Sequence, residues 1–153
     1  MSSEDKIRKG AQPFLDDGEH VIAAFLARPH GLSQSRGGRW TRGQGKSRLR
    51  IARQAAELAH FPLASSMALA ITPTRLLSLS MGVQVGMGVG GGVKGLVGQA
   101  RLSEVESISI KRYPFVFAQI VTVTLRGHSF KLEVGAGANT KGVVDAFNNA
   151  RPS

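Results

Sequence analysis

The chain has 153 residues, no cysteine and a formal net charge of +10. A chain of this length buries roughly 70% of its unfolded surface, so a single domain with its own core is expected without the help of metal or disulfide. The lack of cysteine excludes a disulfide scaffold, a thiolate metal site and a cysteine nucleophile, and it fits a reducing, cytoplasmic setting.

The first ten residues, MSSEDKIRKG, contain no apolar run of the kind a secretory leader needs. They read instead as a short helix: Ser2 or Ser3 can cap it, Glu4 and Asp5 suit its first turn, and Ile7, Ala11 and Phe14 share a face. Pro13 limits the helix, so the N-terminal helical region ends by residue 15. Asp16-Asp17-Gly18 is turn chemistry, and residues 20–27 (HVIAAFLA) read as a mostly buried strand.

The charge is concentrated in the next stretch. Residues 28–53 carry eight basic side chains (Arg28, Arg36, Arg39, Arg42, Lys46, Arg48, Arg50 and Arg53) and no acidic one, whereas the rest of the chain holds 12 basic and 10 acidic residues. A focused patch of this kind suits an anionic partner. Residues 31–45 are glycine-rich without apolar periodicity and read as a loop. Residues 46–60 read as a helix. At about 100° per residue, Leu49, Ile51, Ala52, Ala55, Ala56, Leu58 and Ala59 fill one half, and Lys46, Arg50, Arg53, Gln54 and Glu57 fill the other. Phe61-Pro62 ends it.

From residue 67 the period becomes that of strands. Residues 67–72 and 76–80 are apolar runs joined by Thr72-Pro73-Thr74-Arg75, a β-hairpin pattern. Residues 82–98 are apolar and glycine-rich and read as a flexible strand pair or loop. Lys94, Gln84 and the glycines disqualify 81–100 as a membrane span. Strands follow at 99–102, 105–111, 116–125 and 129–134, with Arg126-Gly127-His128 as a hairpin turn. Asn139 or Thr140 then caps a helix over 139–150, whose Val143, Phe147 and Ala150 form a stripe suited to packing on a sheet.

Three segments resemble bacterial pleckstrin-homology-like and GRAM-like domains, in the manner of actinobacterial proteins of that type. They are LAITPTRLL at 69–77, with its T-x-x-R-L hairpin, LSEVESI at 102–108, and the pair VTVTL (121–125) and FKLEV (130–134) ahead of the last helix. The resemblance covers 20–27 and 67–150. It implies an α+β, mainly β fold: a bent antiparallel sheet or pleckstrin-homology-like barrel capped by a C-terminal helix, with residues 28–62 as a basic loop–helix insertion after the first strand. It implies no enzymatic activity, and fold alone assigns no function.

The chemical inventory agrees with a binding module. Gly86-x-Gly88-x-x-Gly91 matches a dinucleotide fingerprint only formally, because Gly91, Gly92, Gly95 and Gly98 disfavour the helix that must follow. Lys94 is followed by glycine where a P-loop needs Ser or Thr. His20, His30, His60 and His128 lack metal-ligand spacing, and no nucleophile motif is present. No cofactor and no metal are expected. The anionic-partner site is assigned to Arg36, Arg39, Trp40, Arg42, Lys46, Arg50 and Arg53, because arginine forks suit phosphate and carboxylate oxygens and Trp40 can enter a lipid interface or stack on a base. The partner is expected to be an acidic lipid surface, with peripheral membrane association, or an acidic protein. The alternatives are non-specific nucleic-acid binding through the same residues, and homo-oligomeric self-assembly through the glycine-rich segment 82–98.

Overall fold

The computed structural model describes residues 3–30, 42–82, 92–113, 118–135 and 137–150. In chain order the elements are helix α1 (Ser3–Ala11), a 3-10 turn (Gln12–Phe14), β1 (Ala23–Pro29), α2 (Arg42–Leu58), β2 (Met67–Ile71), β3 (Arg75–Met81), β4 (Val93–Arg101), a second 3-10 turn (Leu102–Glu104), β5 (Val105–Tyr113), β6 (Ala118–Leu125), β7 (His128–Gly135) and α3 (Thr140–Ala150). The fold is α+β, mainly β. Seven antiparallel strands lie in the order β4-β3-β2-β1-β7-β6-β5 and α3 follows them. The sheet does not close into a barrel: β4 and β5 are its two edges.

β1 joins the two halves of the sheet. Its residues 23–27 pair with β2, and only Arg28 and Pro29 pair with β7. Before that junction, at Ala24, the backbone N–H is taken by the Glu4 carboxylate of α1 at 3.2 Å. The same carboxylate oxygen accepts from Asn139 Nδ2 at 2.9 Å. Asn139 in turn caps α3 by accepting the Gly142 N–H at 3.0 Å. One carboxylate thus ties the first helix, the junction strand and the last helix together.

Alternation within the strands sorts side chains to the two faces. On β2, Met67, Leu69 and Ile71 join the main core with Phe25, Val121, Val123, Phe130, Leu132, Val143 and Phe147. Ala68 and Ala70 point the other way, into a second core under α1 formed with Ile7, Ala11, Leu77 and Leu79. β2 is therefore buried on both faces. α1 also runs close to β4: a Cβ at Gly10 would sit 2.7 Å from Val93 Cγ2. Among the described residues, the buried polar side chains are Thr72, Ser78, Gln119 and Thr140, and each has a partner. Thr140 Oγ1 donates to Gln119 Oε1 at 2.6 Å, Gln119 Nε2 donates to the Gly135 carbonyl at 3.0 Å, and Ser78 Oγ donates to the Pro62 carbonyl at 3.1 Å.

Several sequence expectations shift. The first strand is Ala23–Pro29 rather than 20–27, because its span is set by its partners β2 and β7. The helix expected over 46–60 starts at Arg42, so Gly43 and Gly45 of the expected loop are helical; a glycine costs only about 1 kcal/mol in a helix that docking holds. The run 99–102 is the end of a longer strand, Val93–Arg101, with Leu102 opening a 3-10 turn. The strand expected from 116 begins at Ala118. The fingerprint-like residues Gly86, Gly88 and Gly91 lie outside the described residues.

Candidate functional site

The basic connection between β1 and β2 contains α2, and the way α2 docks decides what it offers to a partner. Ala52, Ala56 and Ala59 recur at the i, i+4, i+7 spacing of one helical stripe, and each is buried. Alanines let the helix axis come close to the sheet, and α2 packs chiefly on β7 and less on β1. Ile51 and Leu58 correct the expected docking half, because each is 62% exposed. They repeat at i, i+7 on a line about 100° around the helix from the alanine stripe, so a close-packed alanine seam leaves them outside. Leu49 and Ala55, at the margins of the seam, are half-buried.

The C-terminal end of α2 is fixed. His60 has φ 56°, its N–H bonds the Glu57 carbonyl at 3.0 Å, and the Phe61 N–H bonds the Ala56 carbonyl at 2.9 Å. These two bonds make a Schellman motif with histidine where glycine is usual. Phe61 then stacks on Phe130 of β7, with centroids 5.6 Å apart. Arg126, at the β6–β7 turn, donates to the Ala59 carbonyl at 2.6 Å and pairs with Glu104. Its charge sits at the negative end of the helix dipole. Arg126 and Gly127 both have positive φ, 51° and 82°, as a type I′ two-residue turn requires. Pro62 beyond the helix lies against β4, where a Cβ on Gly98 would be 3.2 Å from the Pro62 carbonyl oxygen. Residues 59–62 are thus held by both halves of the sheet.

This docking places the assigned residues as follows. Arg36, Arg39 and Trp40 lie outside the described residues. Arg42, Lys46, Arg50 and Arg53 occupy helix positions spaced by four, four and three, a row roughly 110° around the helix from the alanine stripe, on the flank opposite to that of Ile51 and Leu58. Arg50 is exposed. Arg53 is partly buried and donates to Ser65 Oγ at 2.6 Å, which ties it to the segment after the helix. Glu57 is the one acidic residue of α2. Arg28 is exposed on β1, opposite Glu133 in the ladder. α2 therefore carries its basic positions along one flank of the docked stripe, with the exposed Arg50 turned furthest outward, and the exposed apolar pair Ile51 and Leu58 along the other flank. That pair was hidden in the sequence because a wheel cannot tell which part of a broad apolar half docks.

The T-x-x-R-L hairpin has a structural role. Thr72 Oγ1 accepts the Arg75 N–H at 2.9 Å and the Thr74 N–H at 3.2 Å, and it donates to Glu19 Oε2 at 2.7 Å. Arg75 grips the same carboxylate through Nε at 2.9 Å and through a second nitrogen, and it also donates to the Phe14 carbonyl at 3.0 Å. The Glu19 side chain is 5% exposed. Hydrogen bonding from Arg75, working against desolvation, holds the Glu19 pKa down at about 2, and the same bond raises that of Arg75. The motif staples the β2–β3 hairpin to the turn before β1. A shallow open depression of about 440 Å³ beside it reaches Asp16, Arg101 and Ser103, but the Arg75 guanidinium there is already committed to the staple. Among the described residues no group of three His, Cys, Asp or Glu side chains could hold a metal ion, and no helix is long and apolar enough to cross a membrane.

No family model matches the chain, and no curated protein does. Among solved structures, it is similar to a DUF1696 family protein with a pleckstrin-homology domain from Shewanella loihica PV-4. That similarity has a TM-score of 0.46 and 10% sequence identity, and covers 97% of this chain and 92% of the other.

Proposed function

We propose that the chain is a non-enzymatic interaction module that holds an anionic partner through its β1–β2 connection, and that the favoured partner is an acidic lipid surface. The observation that carries this reading is the combination on α2: a row of basic positions on one flank of the docked stripe and, on the other flank, two large apolar side chains, Ile51 and Leu58, that the fold leaves outside. Basic groups near an anionic bilayer contribute about 1 kcal/mol each, and apolar side chains entering the headgroup–acyl boundary add to that. An acidic protein or a nucleic acid would use the arginines but would gain less from the apolar pair. Arg36, Arg39 and Trp40, from the same connection, belong to this proposed surface on their chemistry.

Co-sedimentation with vesicles tests the proposal. Pelleting is expected with vesicles containing anionic lipid, weakening as salt rises, and not with neutral vesicles. Absence of charge-dependent pelleting at low salt, alongside a salt-sensitive shift of duplex DNA, would transfer the surface to nucleic acid.

A further inference from the structure

We propose that two copies of this chain associate edge to edge through β5, paired antiparallel about Ser109. β5 is an edge of the sheet: it spans nine residues and, among the described residues, pairs with β6 alone. Such an edge presents a row of backbone N–H and C=O groups that can template a further strand. Natural edges are commonly short or interrupted; this one has its irregularity at its start, between Val105 and Ser107, and runs regularly over 107–113, longer than the usual five or six residues.

The occupant is argued from the sequence of the strand itself. When β5 is laid antiparallel on a copy of itself with Ser109 opposite Ser109, Ile108 faces Ile110, Ser107 faces Lys111 and Glu106 faces Arg112. The charges are also self-complementary towards both ends: each Glu106, at the irregular start of the strand and accepting the Gly127 N–H at 3.1 Å, lies near the other copy's Arg112. The faces also agree. Ile108 and Ile110 point into the main core cluster, Ile110 as a half-buried member, while Ser107, Ser109 and Lys111 are exposed. Glu106 and Arg112 are exposed too. Moving the centre by one residue in either direction loses this: about Ile108, Glu106 faces Ile110, and about Ile110, Glu106 would need a partner beyond the strand. A twofold arrangement of this kind closes after two copies and does not propagate.

The interface is one strand pair wide, smaller than the roughly 1,600 Å² of a standard stable complex, so association is weak and concentration-dependent. Sedimentation equilibrium from low micromolar to near-millimolar protein should show the mean mass rising from monomer towards dimer and no further. Ser109→Glu, an exposed substitution, places like charges face to face at the twofold axis. It should weaken association about tenfold or more while leaving the thermal melt unchanged, and an equimolar mixture with Ser109→Lys should restore the dimer. In the same way Glu106→Arg and Arg112→Glu should each lose self-association and should dimerise when mixed. A wild-type chain that stays monomeric throughout overturns the proposal. So does a dimer unaffected by Ser109→Glu, or mixtures that fail to restore association between folded variants. None of these outcomes depends on the anion-binding surface proposed on α2.

Discussion

Glu19→Gln isolates the staple that holds the β2–β3 hairpin to the chain before β1. In the wild type the carboxylate takes two nitrogens of Arg75, the hydroxyls of Thr72 and Thr74 and the Asp16 N–H. A carboxyl pKa held from 4.5 down to about 2 corresponds to at most about 3 kcal/mol of preference for the ionised form in the folded state. Glutamine keeps an acceptor for the hydroxyls but removes the charge. It leaves Arg75, whose side chain is 13% exposed, with a desolvated and unneutralised guanidinium. The expected loss is about 2–3 kcal/mol at neutral pH, or a fall in Tm of roughly 5–10 °C for a domain of this size. The sign of the pH dependence follows from linkage. Because the folded pKa lies below the unfolded one, the contribution is fully present above about pH 5 and is lost as pH falls through the window from 4.5 to 2. Urea unfolding at a series of pH values should therefore show the wild type and Glu19→Gln converging towards pH 2, with the gap fully open by pH 5–6. A gap below about 0.5 kcal/mol at neutral pH, or a gap that does not close in acid, would refute the staple.

Three further substitutions probe the docking of α2 and α1. His60→Gly places glycine at the left-handed end of the Schellman motif and should stabilise the chain by about 0.5–1 kcal/mol in thermal melts. Arg126→Asn improves the type I′ turn locally but removes the guanidinium from the Ala59 carbonyl and from Glu104, so a net loss of about 1 kcal/mol is expected where turn propensity alone predicts a gain. Gly10→Ala should destabilise by about 1–2 kcal/mol in denaturant titrations, even though alanine is the better helix former, because its Cβ meets Val93.

The strand half of the fold was legible because alternation and turn chemistry are local. The LAITP-TRLL hairpin, the β6–β7 turn at Arg126-Gly127 and the Val143/Phe147 stripe of α3 all appear where the sequence places them. Boundaries moved where a partner strand, rather than composition, decides them, as at β1. The role of Glu19 was not legible, because its partner Arg75 is 56 residues away and an acidic residue in a turn is ordinary when read locally. The same limit hid Glu4, whose contacts are with Ala24 and Asn139. On α2 the sequence placed the basic row but could not separate a narrow alanine seam from the broader apolar half. Ile51 and Leu58 therefore read as docked when they are the exposed part of the surface.

The central claim is that α2 offers charge and apolar area together, and vesicle partitioning of two variants tests it most directly. Arg50→Glu should abolish the dependence on anionic lipid content or reduce it severely. Ile51→Ser combined with Leu58→Ser should weaken partitioning about tenfold or more, since each side chain gives up part of the 1.5–3 kcal/mol that full burial of such a residue is worth. Both variants should melt like the wild type, because the altered side chains are exposed. Unchanged partitioning in both folded variants would contradict the account.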